Sequence, residues 1–239
     1  MPLPTKKTEI KKRLEDYVIL VYGRPKIGKS TFCAGAENAI FLATDVRGLD
    51  GLSTYNVPIN SWEEMKNTAS ELKAGGHNFK TIIIDMIDTA YILCSDYVCR
   101  QHNIPDESSL PHGMGWRLVR HEFIQFFAKL GNLPYGIILT SHCNEIEITT
   151  PTRKFLRMVP SIPNAPLRQW LSGFVGVILY CDFGEIPSKE QKSKPAPQRI
   201  IRTNSSDFYD AGIRPQGLGI PDVLPLRWDE FKAAWEGKK

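Results

Sequence analysis

The stretch Gly23-Arg24-Pro25-Lys26-Ile27-Gly28-Lys29-Ser30 restricts the fold more than any other part of the chain. Its spacing is that of a phosphate loop: a Gly, four free residues, then Gly-Lys-Ser. An apolar run, Tyr17 to Tyr22, precedes it and reads as a buried strand, and Thr31 opens a helix behind it. Glycines let the backbone curl so that successive N–H groups face phosphate oxygens. In that frame Lys29 reaches the β- and γ-phosphates, the Ser30 hydroxyl ligates Mg²⁺, and the helix start adds its dipole. Residues Gly23, Arg24, Pro25, Lys26, Ile27, Gly28, Lys29, Ser30 and Thr31 are therefore the expected nucleotide cradle, with ATP and Mg²⁺ as its ligands.

A chain of 239 residues is long enough for one large α/β domain. Hydrophobic residues at 42% and charged residues at 23% fit a soluble globular class. No apolar run approaches a membrane span, and the first residues lack the apolar core of a signal peptide. Five scattered cysteines without metal-site spacing read as reduced thiols of a cytoplasmic protein. A formal net charge of +4 is mild, so any nucleic-acid surface has to be local.

The pattern predicts a basic arm over 1–16 and one domain over 17–239, with a mobile polar loop at 186–197. The arm reads as a solvated tail, an edge strand or a contact for an acidic partner. A short helix from Ser30 to about Ala36 leads to a strand, Ala39 to Thr44, ending on Asp45. Ser61 and Glu64 have capping-box spacing before a helix that Gly75-Gly76 stops. Thr81 to Asp85 is a β-branched strand ending in an acid, the expected second Mg²⁺ contact. Asp88 is expected to cap the helix that follows, Thr89 to about Arg100, rather than to bind metal.

His112-Gly113-Met114-Gly115-Trp116 reads either as a functional loop or as a tight turn onto a core tryptophan. Next come a helix with Leu118, Val119, Phe123, Phe126, Phe127 and Leu130 inward, and a strand from Tyr135 to Thr140 that delivers His142. A hairpin is expected around Pro151 to Lys154. Beyond it the spacing predicts strands at Phe174 to Tyr180 and Arg199 to Thr203, Gly/Pro-rich coil over 207–225, and a final helix from Arg227 to Glu236. Trp116 and Tyr135 are open to base stacking or to packing. The fold class is α/β: a mostly parallel central sheet with a C-terminal antiparallel extension, and its site along one sheet edge.

The order of these motifs resembles the RecA-like ATPases of bacteriophages, in particular the Sak-type single-strand annealing and recombination group. The residues that carry the resemblance are the phosphate loop, Phe41 to Asp45, Ile83 to Asp85, His112 to Trp116 and Thr140 to His142. It implies a RecA-like P-loop core in which Asp45 primes water and His142 senses the γ-phosphate. It also implies that the loops after the Asp85 strand and after His142 face single-stranded DNA, and in the second this chain carries Arg153, Lys154 and Arg157. Relatives bear a Lys and an Arg near the C-terminus that reach a neighbouring subunit's ATP. This chain has Gly212 and Arg214 there, which together with the short Asp45 implies a weak, DNA-stimulated ATPase. The implied partners are other copies of the chain in a ring or filament and a single-strand-binding protein. A P-loop nucleotide kinase and a non-catalytic, nucleotide-gated packaging component are the competing readings.

Overall fold

The computed structural model describes residue 5, residues 13–186 and residues 197–238. Most of the expected 1–16 arm and nearly all of the 186–197 loop lie outside the described residues. The folded part begins no later than Leu14, which is buried in a short turn whose Glu15 holds Lys232 at 3.1 Å.

The strands are β1 Val18–Gly23, β2 Ala39–Ala43, β3 Tyr55–Pro58, β4 Thr81–Asp85, β5 Gly136–Ser141, β6 Cys143–Thr149, β7 Lys154–Pro160, β8 Val177–Gly184, β9 Gln198–Arg202, β10 Gly212–Ile213 and β11 Val223–Pro225. The helices are α1 Lys29–Cys33, α2 Trp62–Ala74, α3 Ile87–Gln101, α4 Met114–Leu130, α5 Ala165–Phe174 and α6 Trp228–Trp235. The main sheet runs β11-β9-β8-β1-β5-β4-β2-β3, with β10 pairing β8. From β8 to β3 every pairing is parallel, while β9, β10 and β11 are antiparallel additions. This is the expected α/β class: a mostly parallel central sheet with an antiparallel extension.

Alternation along the parallel strands splits the core in two. Leu20, Leu42, Ile82, Ile84 and Leu139 point to a layer with Trp62, Tyr91, Phe123, Phe127 and Leu167. Ile19, Val21, Phe41, Ile83 and Ile138 point the other way, onto Phe32, Trp228, Phe231 and Trp235. Helices therefore cover both faces, and the ligand end of the sheet is where the parallel strands terminate. β5 lies between β1 and β4, so the residues after Leu139 come up between the phosphate loop and Asp85.

Several local expectations change. α3 starts after Met86 with no side-chain cap, and Asp88 lies inside its first turn, bonded elsewhere. Phe174 ends helix α5 rather than opening a strand; Asn164 caps that helix by accepting from Leu167 N at 3.0 Å. At α2, Ser61 caps as expected, but Glu64 reaches back to Asn60 N at 2.7 Å instead of closing the box. Met114 to Trp116 belong to α4, and Trp116 is 39% exposed, not a core residue. β3, β10 and β11 were not legible as strands. β3 lies at the sheet margin with mostly exposed residues, so it carries little apolar alternation.

Candidate functional site

β1 ends at Gly23, where the chain lies close against Cys181 of β8. A Cβ on Gly23 would stand 2.5 Å from the Cys181 carbonyl oxygen, so only glycine fits. Arg24, Pro25 and Lys26 are exposed, while Ile27 turns inward and is 2% exposed, pinning the loop to the core. Gly28 then takes a φ of 109°, a left-handed conformation that L side chains rarely adopt, and α1 starts at Lys29. Thr31 stays exposed at the first turn. The first N–H groups of a helix have no partner within it, so they face out of the curl.

Lys29 is buried, and its Nζ donates to the carbonyls of Gly23 and Arg24, each at 3.1 Å. An ammonium has three donors, so one remains for a ligand above the loop. Burial pushes the Lys29 pKa below the ordinary lysine value, opposed by the neighbouring Cys181, Asp85 and Asp88. A second anion beside it would restore the charged form.

Asp85 closes the far side. Its Oδ2 accepts from Ser30 Oγ at 2.8 Å and its Oδ1 from Thr140 Oγ1 at 2.5 Å. Sequence reasoning missed Thr140, which β5 brings beside Asp85 because it runs next to β4. It also missed Thr44, whose hydroxyl accepts from Met86 N at 2.8 Å and sits 3.2 Å from the Asp85 carbonyl oxygen. The third missed residue is Asp88. Its Oδ2 lies 2.8 Å from Nδ1 of His142, and its Oδ1 is buried with no hydrogen-bond partner among the described residues. An acid three residues beyond Asp85 was the available signal; a cap was the commoner explanation.

Ser30 Oγ and the Asp85 carboxylate are hard oxygen donors at the phosphate loop. Mg²⁺ takes one or two carboxylates plus phosphates and waters rather than a dedicated protein cage. This donor set fits that pattern. Among the described residues no cluster of three His, Cys, Asp or Glu side chains forms such a cage.

The other expected residues fall in different places. Asp45 follows β2, two positions past Ala43, the register partner of Asp85. Its side chain accepts from Arg47 N at 3.2 Å and pairs with the Arg47 guanidinium at 3.4 Å. Arg214 donates to the carbonyls of Gly173 at 2.6 Å and Val175 at 3.1 Å, at the end of α5. That position is beside the start of β8, at the opposite end of the sheet from the phosphate loop.

β6 and β7 form the expected hairpin directly after His142. Arg153 pairs with Asp207 at 2.6 Å and lies over the Phe155 ring, and Lys154 pairs with Glu147 at 3.3 Å. Both are well exposed, and such surface pairs are worth only about 0–1 kcal/mol. Arg157 is half-buried against Asp210 through two nitrogens. The Tyr22 hydroxyl donates to the Asp210 carbonyl at 2.6 Å, fastening this base of the hairpin to β1. Tyr135 donates to the Leu72 carbonyl at 2.8 Å, a packing role at the end of α2. A cleft of about 500 Å³ between α2 and α4 contains none of these residues.

A family model described as an AAA domain matches residues 15–215. The chain belongs to the AAA domain family. It is thus a P-loop NTPase, and nucleotide binding and hydrolysis are the general chemistry of its domain. Over 142 residues it is 26% identical to the SPbeta prophage-derived uncharacterized protein YorG of Bacillus subtilis (strain 168), covering 57% of this chain and 44% of YorG. The chain spans less than half the length of that curated relative. The crystal structure of flagellar accessory protein FlaH from Methanocaldococcus jannaschii aligns with a TM-score of 0.40 and 10% identity, over 78% of this chain and 77% of FlaH. Among the described residues no helix is long and apolar enough to cross a membrane.

Proposed function

We propose that this AAA domain chain binds ATP with Mg²⁺, binds single-stranded DNA, assembles with copies of itself, and promotes annealing or recombination. The observation that carries the reading is the sequence of contacts over four residues. Thr140 touches Asp85, Ser141 ends β5, His142 touches Asp88, and Cys143 already begins the hairpin. A change at Asp85 or Asp88 is therefore passed to the hairpin with no flexible linker between them.

In this reading Lys29 and the loop N–H groups hold the β- and γ-phosphates, and Ser30 and Asp85 hold Mg²⁺. The bound ion neutralises charge on the phosphate oxygens. Asp45 leaves its exposed pairing with Arg47 to orient water. His142, its ring fixed by Asp88, faces the γ-phosphate and reports its presence. Arg153 and Lys154 exchange weak surface pairs for DNA phosphates. Arg214 serves a neighbouring copy's nucleotide, and a single-strand-binding protein is the recruiting partner. The resemblance to the Sak-type group supports annealing as the outcome, and the prophage-derived relative agrees with a bacteriophage setting in a host cytoplasm.

Fluorescence anisotropy of a labelled single-stranded oligonucleotide, with and without MgATP over a salt series, tests the reading. Binding that strengthens with MgATP and weakens with salt is expected, since two phosphate contacts give a log–log slope of about −1.4. Absent or salt-independent binding overturns it. Transfer of phosphate to a nucleotide without any DNA effect would establish a kinase instead.

A further inference from the structure

Arg199 has no place in the motif set, yet the fold carries it to the phosphate loop. β8 runs parallel to β1 with Cys181 opposite Gly23, and then continues to Gly184, past the end of β1. β9 returns antiparallel with Arg199 opposite Phe183. Arg199 is thus at the level of the loop, two residues beyond the last β1 partner. It shares a face with Ile201, which is buried in the layer that packs α1. Its backbone is held there, because Leu226 N donates to the Arg199 carbonyl at 3.0 Å.

The side chain ends beside Gly28. A Cβ built on Gly28 would lie 3.4 Å from Arg199 Nη1 and 3.8 Å from its Cδ. The guanidinium therefore stands directly beside the residue that precedes Lys29. It is exposed and forms no ion pair with any carboxylate among the described residues, whereas Arg153, Arg157, Arg202 and Arg227 all do. A planar guanidinium with five donors and no carboxylate partner suits a phosphate group.

We propose that Arg199 donates hydrogen bonds to the phosphate chain of the nucleotide held by the chain's own loop. This rests on the nucleotide-site reading above. It differs from the Arg214 role in acting within one chain, and it gives the antiparallel extension a chemical purpose. Arg199 is then a ligand contact supplied by β9, so nucleotide binding also ties β9 and β11 to the loop.

Calorimetric titration with MgATP, MgADP and inorganic pyrophosphate, on the native chain and on Arg199→Ala, Arg199→Lys and Lys29→Ala, tests this. Arg199→Ala is expected to weaken all three ligands about tenfold or more, with Arg199→Lys intermediate and the far-ultraviolet spectrum unchanged. Affinities within twofold of native in Arg199→Ala, beside a clear loss in Lys29→Ala, overturn the Arg199 contact and leave the nucleotide site standing. Weakened ATP with unaffected pyrophosphate moves the contact off the phosphates and also overturns it. No nucleotide binding by the native chain removes both readings together.

Discussion

Nδ1 of His142 lies 2.8 Å from Oδ2 of Asp88, joining the residue before the hairpin to the first turn of α3. The other oxygen of Asp88 is buried without a partner among the described residues, so this carboxylate spends only half its capacity on the ring. Replacing Asp88 by Ala frees the imidazole while leaving Lys29, Ser30 and Asp85 in place. ATP affinity is expected to change by less than about threefold, while turnover falls about tenfold or more, since misplacing a group that faces the reacting phosphate costs at least that. Steady-state hydrolysis beside calorimetric binding checks this. Equal losses in affinity and turnover would make the pair a fold element.

The hairpin cations are not equivalent. Arg153 and Lys154 are exposed and weakly paired, so Arg153→Ala/Lys154→Ala is expected to lower single-strand affinity and flatten the salt slope by about 1.4. Arg157→Ala strips the half-buried Asp210 of its partner, and is expected to lower stability by about 1–3 kcal/mol. Oligonucleotide titrations over a salt series, together with urea melts, separate the two outcomes.

Tyr22 is the matching anchor on β1. Its hydroxyl donates 2.6 Å to the Asp210 carbonyl and accepts from Asp210 N at 2.9 Å. Tyr22→Phe takes the hydroxyl donor from the Asp210 carbonyl and leaves Asp210 N with only its 3.4 Å bond to the Met158 carbonyl, at a cost of about 1–3 kcal/mol. Thermal or urea unfolding measures it. A loss of ATP-stimulated DNA binding with nucleotide affinity retained is expected as well, because the hairpin loses its tie to the phosphate-loop strand.

Lys29 sets a pH dependence. Burial holds its pKa below the ordinary 10.5, against the pull of Cys181, Asp85 and Asp88. Only the charged form attracts phosphate, and bound phosphate raises the pKa again. Above the pKa of the free protein, binding therefore takes up a proton, and affinity falls as pH rises. The fall should begin below pH 10.5. Calorimetry in two buffers of different ionisation enthalpy reads the proton uptake directly; a flat alkaline profile contradicts it.

How much was legible follows from how local each signal is. The phosphate loop, Asp45, Asp85 and His142 stand at the ends of strands that are buried on both faces, so continuous apolar runs marked them. Asp88 was read as a cap because its partner is 54 residues away. Thr140 and Thr44 likewise take their meaning from strand neighbours. Arg199 depends on an antiparallel return past the end of β1, which no local pattern announces. Helix α5 did have a local signal, Asn164 followed by Pro166, but the apolar residues around it resembled the strand beyond.

The central claim is that Gly23 to Ser30 is a working nucleotide site closed by Asp85. It is tested most directly by titrating MgATP into the native chain, Lys29→Ala and Asp85→Ala by calorimetry. The native chain is expected to bind one MgATP per chain. Lys29→Ala should lose about tenfold or more in affinity, and Asp85→Ala should lose the Mg²⁺ dependence of binding while staying folded. Native binding that both substitutions leave unchanged would contradict the account.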